Sequence, residues 1–158
     1  MNLIIQIFYL NYYYIGKMGT QKSIDIQMGL SNEDVVEPMI QKYFNESIIN
    51  TKITRGKYCA YDYETSDRKT RFELKTRRVH HHTYPTILIG KNKIIKGCTD
   101  GAQLILLFLF TDGLFYIKYD PLTFGNFNEG PFTRYRDGNA EHQYVVHIPV
   151  NELTKIKF

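Results

Sequence analysis

Seven consecutive apolar residues, Leu104-Ile105-Leu106-Leu107-Phe108-Leu109-Phe110, leave this chain few ways to fold. The run has strand length and offers no polar position to turn toward water, so it reads as a central strand with both faces covered. Thr111-Asp112-Gly113 has hairpin-turn chemistry, and Leu114 to Tyr119 alternates as the partner strand. A chain of 158 residues, 43% apolar and 15% aromatic, can build one folded domain around such a strand.

Around that strand the pattern is mixed. Ser31-Asn32-Glu33-Asp34 is a helix-start signal with Ser31 as N-cap, and Val36, Ile40, Tyr43 and Phe44 then recur at helical spacing to about residue 46. Pro38 falls in the second turn, where it kinks or tightens the helix. Lys57 to Tyr63 and Lys69 to Arg77 read as strands about a turn at Thr65-Ser66-Asp67-Arg68. Thr86 to Gly90 reads as a short strand or loop, Asn92 to Cys98 as a short helix or turn, and Gly125 to Gly130 as a loop. Tyr144 to Ile148 reads as a strand and Val150 to Ile156 as a short closing helix. The order predicts an α/β (mixed α+β) domain over residues 18–158.

Residues 1–17 stand apart. They are apolar and Tyr-rich, without the basic start and small-residue cleavage site of a signal peptide, and they fall short of a bilayer span. They read as an added strand, a mobile arm or an extension ahead of a start at Met18, with the extension favoured; the tyrosines at 12–14 read as packing. Two cysteines, Cys59 and Cys98, with no CxxC spacing, predict neither a disulfide framework nor a zinc cluster and favour an intracellular setting.

Charge is unevenly placed. Twelve Lys or Arg lie between residues 52 and 96, against Asp62, Glu64, Asp67 and Glu73, while the whole chain carries only +4. A basic block around a small acidic cluster suits a polyanion. Alternation along the two middle strands puts Arg71, Glu73, Lys75 and Arg77 on one face and Phe72, Leu74 and Thr76 on the other. Paired as a hairpin, the strands collect Asp62, Glu73 and Lys75 on one face while Phe72 and Leu74 enter the core.

Two carboxylates and a lysine in that arrangement can carry phosphodiester hydrolysis. Mg²⁺, or Mn²⁺ in its place, prefers oxygen ligands, which Asp62, Glu73 and the Leu74 carbonyl supply. Lys75 would hold or polarise the attacking water and offset developing charge. The competing reading is an amphipathic hairpin whose Glu73 and Lys75 form surface ion pairs worth about 0–1 kcal/mol each.

At these residues the chain resembles the PD-(D/E)XK nuclease superfamily, whose restriction-endonuclease-like fold has a central mixed sheet flanked by helices. Asp62 fits the first acid of the motif, with Tyr61 in place of its Pro, and Glu73 and Lys75 fit the (D/E)XK part. The likeness spans about residues 31–120, and the flow from Tyr84 to Lys93 and Phe110 to Gly113 is similar to virus- or phage-encoded members. It implies a Mg²⁺-dependent DNA endonuclease in which Glu33, or else Glu37, is a helix-borne acid acting through water or a second metal. Arg55, Lys57, Arg71, Arg77, Arg78 and Lys93 are the candidates for phosphate contacts. A homodimer would supply the two sites that cutting both strands requires.

Other features carry less. His80-His81-His82 reads as a polar loop sooner than a metal site, and Asp100 and Asp112 as turn formers. Arg134-Tyr135-Arg136 fits an exposed edge strand as well as a nucleic-acid contact. No P-loop, GxGxxG, HExxH or GxSxG is present, which removes the usual support for P-loop, Rossmann and α/β-hydrolase chemistry. The alternatives to a nuclease are a non-catalytic nucleic-acid-binding module and a structural interaction protein.

Overall fold

A computed structural model describes residues 20–157, so the expectations for residues 1–17 lie outside the described part. In chain order the elements are α1 (Gln21–Phe44), β1 (Ile48–Asn50), α2 (Thr51–Thr54), β2 (Tyr63–Thr65), β3 (Thr70–Thr76), β4 (Thr86–Gly90) and α3 (Lys91–Gly97). Then come β5 (Gln103–Phe110), β6 (Gly113–Lys118), α4 (Pro121–Phe124), β7 (Glu129–Arg136), β8 (Asn139–Pro149) and β9 (Thr154–Lys155). The class is mixed α/β, with a six-stranded sheet in the order β1-β2-β3-β5-β6-β9 and a separate three-stranded sheet, β4-β8-β7.

The apolar run is the central strand. Ile105, Leu107 and Leu109 pack with Val36 and Ile40 of α1, Tyr63, Phe72 and Leu74. Leu104, Leu106, Phe108 and Phe110 face the other way, onto Ile94 of α3 and onto Ile87, Ile89, Val146 and Ile148 of the small sheet. Both faces of β5 are thereby dry, which is why no polar residue interrupts it. β3 runs parallel to it, Glu73 opposite Leu106 and Lys75 opposite Phe108. A parallel neighbour needs a crossover, and β4 with α3 provides it.

α3 lies close against β5 because Gly97 has no side chain. A Cβ there would stand 2.6 and 2.8 Å from the methyl carbons of Leu104, which is fully buried. Gly97→Ala is therefore expected to lower stability by about 1–3 kcal/mol, the usual cost of overpacking. Urea denaturation checks it.

Several local expectations change. α1 begins at Gln21, capped by the Thr20 hydroxyl, and Ser31 sits in mid-helix. The Ser31 signal loses because Met28, Asn32, Val36 and Ile40 continue one buried stripe at i, i+4 spacing, so packing extends the helix backward. Pro38 consequently lies deep in the helix. The first middle strand shrinks to Tyr63–Thr65, with residues 57–62 in a loop. The closing helix is instead a 3₁₀ turn at Val150–Glu152 followed by β9, which pairs with the otherwise open edge of β6. The strand expected at Tyr144 to Ile148 is longer, and with β7 it forms a ribbon whose Arg134-Tyr135-Arg136 segment is indeed on an edge.

The ribbon tip is tied to α1. Asp137 accepts from the backbone N–H groups of Gln21 and Lys22, each at 3.0 Å, and Asp25 pairs with Arg136 at 3.1 Å and Arg78 at 2.8 Å. Among the described residues, no helix is long and apolar enough to cross a membrane.

Candidate metal and phosphate site

β2 pairs with β3 only as far as Tyr63, opposite Phe72. Asp62, the next residue outward, is fixed by its backbone. Its N–H donates to the Phe72 carbonyl at 2.9 Å, and its carbonyl accepts from the Thr51 N–H at 2.9 Å and the Thr51 hydroxyl at 3.1 Å. With the ladder ended, the Leu74 N–H turns to the side chain and donates to Asp62 Oδ2 at 2.8 Å. A residue's N–H and C=O leave a strand on the same edge, so the Leu74 carbonyl is aimed toward Asp62 as well.

Glu73 lies on the opposite strand face to Leu74 and is almost completely buried. Its Oε1 accepts from Lys75 Nζ at 2.6 Å and is 3.1 Å from Lys93 Nζ, while Lys93 also donates to the Ala60 carbonyl at 3.1 Å. Its Oε2 is buried with no hydrogen-bond partner. Leaving a carboxylate oxygen dry and unpaired is costly, and a water or cation reaching it would relieve that cost.

The charges converge as the alternation on β3 predicts. Asp62 is pushed up to about 7, first by burial and then by the negative charge of Glu73, with Glu33 adding to it. The Leu74 N–H and Lys75 pull the other way. Glu33 sits on α1, where its carboxylate pairs with Lys52 and accepts from Asn50 Nδ2 at 3.3 Å. Its backbone carbonyl accepts from the Tyr63 hydroxyl at 2.7 Å. It thus stands behind Asp62, acting on it by charge. Glu37 is raised by burial and by Asp34, and its side chain accepts from Gln41.

The cations differ in what holds them. Arg71 is buried and is not a phosphate contact: its guanidinium donates to the Thr99 carbonyl at 2.7 Å and hydroxyl at 2.8 Å, and to Asp100 at 3.3 Å. It lies over the Tyr61 ring at 4.6 Å. These bonds tie β3 to the end of α3, a task that strand alternation alone does not reveal. Arg71→Met is expected to cost about 1–3 kcal/mol, because it removes the donor that meets the buried Gly97 carbonyl and the Thr99 carbonyl. A denaturation midpoint measures it, while the salt slope of any nucleic-acid binding stays as it was.

Arg55 is bound to Glu64 at 2.9 and 3.0 Å, Arg78 to Asp25, and Lys57 is exposed beside Tyr58. Arg77 is held by the carbonyls of Thr76 at 3.1 Å and Leu88 at 2.9 Å. Lys93 belongs with Glu73. The spacing of its short helix gives no sign of that, since the approach depends on how α3 docks.

A second group gathers at the loop after β3. His81 Nδ1 is 2.5 Å from Asp112 Oδ2, the His81 backbone N–H donates to Asp112 Oδ1 at 2.9 Å, and the His81 ring stacks on Phe115 at 4.5 Å. With His82 these ligand atoms lie within 4.8 Å of one another, a set that suits a borderline metal more than Mg²⁺. Asp112 therefore fixes the histidine loop as well as a turn.

Comparisons of the chain with protein-family models, curated proteins and solved structures found no match.

Proposed function

We propose that this chain is a metal-dependent nuclease that hydrolyses phosphodiester bonds in DNA, of the PD-(D/E)XK kind. The observation that carries the reading is Glu73, a buried carboxylate with one oxygen held by two lysines and the other left without a partner, whose charge reaches Asp62. The oxygen donors fit Mg²⁺ or Mn²⁺: Asp62 and Glu73 would hold the ion, with the Leu74 carbonyl on the same edge. Bound there, the ion would supply Lewis acidity and lower the pKa of a coordinated water.

The chain's own groups do the rest. The lysine Nζ atoms flank Glu73, so a phosphate reaching the site meets two cations against one side of a carboxylate. Lys75 Nζ has three donors and places one on Glu73, which leaves others to orient a water and to stabilise charge on the attacked phosphate. Lys93, fixed to the Ala60 carbonyl, is the better anchored of the pair and is the phosphate ligand. Glu33 keeps Lys52 in place and adds negative field at Asp62.

A second reading rests on the same ion pairs. Lys75 and Lys93 satisfy Glu73 Oε1 without any metal, as a non-catalytic nucleic-acid-binding module would have it. Labelled duplex, single-stranded and branched DNAs separate the two when incubated with wild type and Lys75→Ala in Mg²⁺, Mn²⁺ and EDTA. Divalent-dependent cutting that is lost in the variant is the expected result. Binding without cutting by folded wild type, unchanged in the variant, would leave the binding module. Cutting both strands of a duplex takes two sites, which a homodimer supplies and sedimentation detects.

A further inference from the structure

From the Lys75 and Lys93 end of the site opens a cleft of about 800 Å³. Five cations line it, Lys75, Arg77, Arg78, Lys93 and Arg134, and none of its described lining residues is acidic. Arg77 comes from the segment after β3, and Arg134 from the ribbon strand β7. The two are near enough that Arg134, after burial, holds the Arg77 guanidinium below its ordinary range. Among the described residues no carboxylate pairs with Arg77, whose bonds go to two carbonyls. Arg134 is paired with Glu141 at 2.5 Å. Both guanidinium groups line the same cleft, an anion lying between them would relieve their mutual repulsion, and a phosphodiester fits their planar donors.

The rest of the lining is not what a duplex needs. Phe132 lies two residues before Arg134 on the same strand face, and Tyr84, Leu88, Val145 and His147 add apolar and ring surface. A duplex presents phosphates outward and keeps its bases stacked inside. Unpaired bases have free faces that stack on aromatic rings. The volume falls in the range of about 300–1,000 Å³ typical of small-ligand sites, room for a few nucleotides.

Resting on the nuclease reading, we propose that this cleft receives an unpaired strand, one phosphate between Arg77 and Arg134 and a base against Phe132, and so presents a neighbouring phosphodiester to Glu73 and Lys75. The favoured substrate is a flap, gap or displaced strand and not an uninterrupted duplex.

The test is fluorescence anisotropy in EDTA with three labelled DNAs: a single strand, a blunt duplex and the same duplex carrying a single-stranded flap. The single strand and the flap should bind at least about tenfold more tightly than the blunt duplex. Phe132→Ala should remove about tenfold or more of that preference, the worth of one stacked base, with the salt slope unchanged. Arg134→Ala should lower the slope by about 0.7, as loss of one single-strand phosphate contact requires. Thermal melts of both variants control for folding. Equal affinity for duplex and single strand, or a silent Phe132→Ala, overturns the cleft assignment even if Lys75-dependent cutting is found. Strand preference without any cutting keeps the cleft and removes the nuclease.

Discussion

Lys75→Ala is expected to slow cleavage by about 10²–10⁴-fold, the usual worth of a positioned proton-transfer or charge-stabilising group, while leaving the fold intact. Fold and chemistry separate here because Glu73 keeps Lys93 at 3.1 Å when Lys75 is gone, so no buried carboxylate is stranded. Lys75 itself is about a third exposed and its loss opens no core cavity. Single-turnover rates at saturating enzyme isolate the chemical step from binding. Lys75→Arg should not restore the rate, since a guanidinium keeps its charge but presents a planar fork in place of a compact ammonium. Lys93→Ala should weaken binding more than it slows the step. If Lys93→Ala carries the whole rate loss and Lys75→Ala almost none, the two roles are reversed.

That contrast between lysines shows where the sequence is legible. Alternation on β3 places Glu73 and Lys75 together because a strand has a period of two and its opposite face, Phe72 and Leu74, is committed to the core. Asp62 joins them through the antiparallel register that pairs Tyr63 with Phe72. Both are short-range consequences of one hairpin. Lys93, Lys52 and the Arg77–Arg134 pair come from separate elements, and no local spacing records how those elements dock.

The same limit applies to the fold. The run from Leu104 to Phe110 announces its central place because it has no wet face. The division into two sheets, and β9 in place of a helix, follow from which edges remain to be covered. Ser31 misleads for a related reason: a capping signal worth about 1 kcal/mol is outweighed by the buried stripe of α1 that continues back through Met28.

Asp62→Asn is expected to act in opposite directions on stability and function. In chelator the variant should be more stable than wild type at neutral pH, because a neutral amide replaces a partly buried carboxylate that lies in the negative field of Glu73. Its side-chain oxygen still accepts from the Leu74 N–H, so the local fold is preserved. The sign follows from linkage. The folded pKa of Asp62 is about 7 against an ordinary 3.8, so the metal-free folded state holds that proton longer than the unfolded chain. This contribution lowers wild-type stability progressively between about pH 4 and pH 7 and is level above that. At about 1.36 kcal/mol per pH unit the penalty is bounded near 4 kcal/mol. The variant should lack this slope, equalling wild type near pH 4 and exceeding it at pH 8. Added Mg²⁺ or Mn²⁺ should raise the wild-type melting temperature, since a cation that binds only the folded state stabilises it by mass action. The variant should gain much less and should not cut. Parallel pH profiles for the two proteins in chelator would remove the buried carboxylate pair as the source of the penalty. A cation that stabilises both equally would place the metal elsewhere, with His81, His82 and Asp112 as the next group to replace.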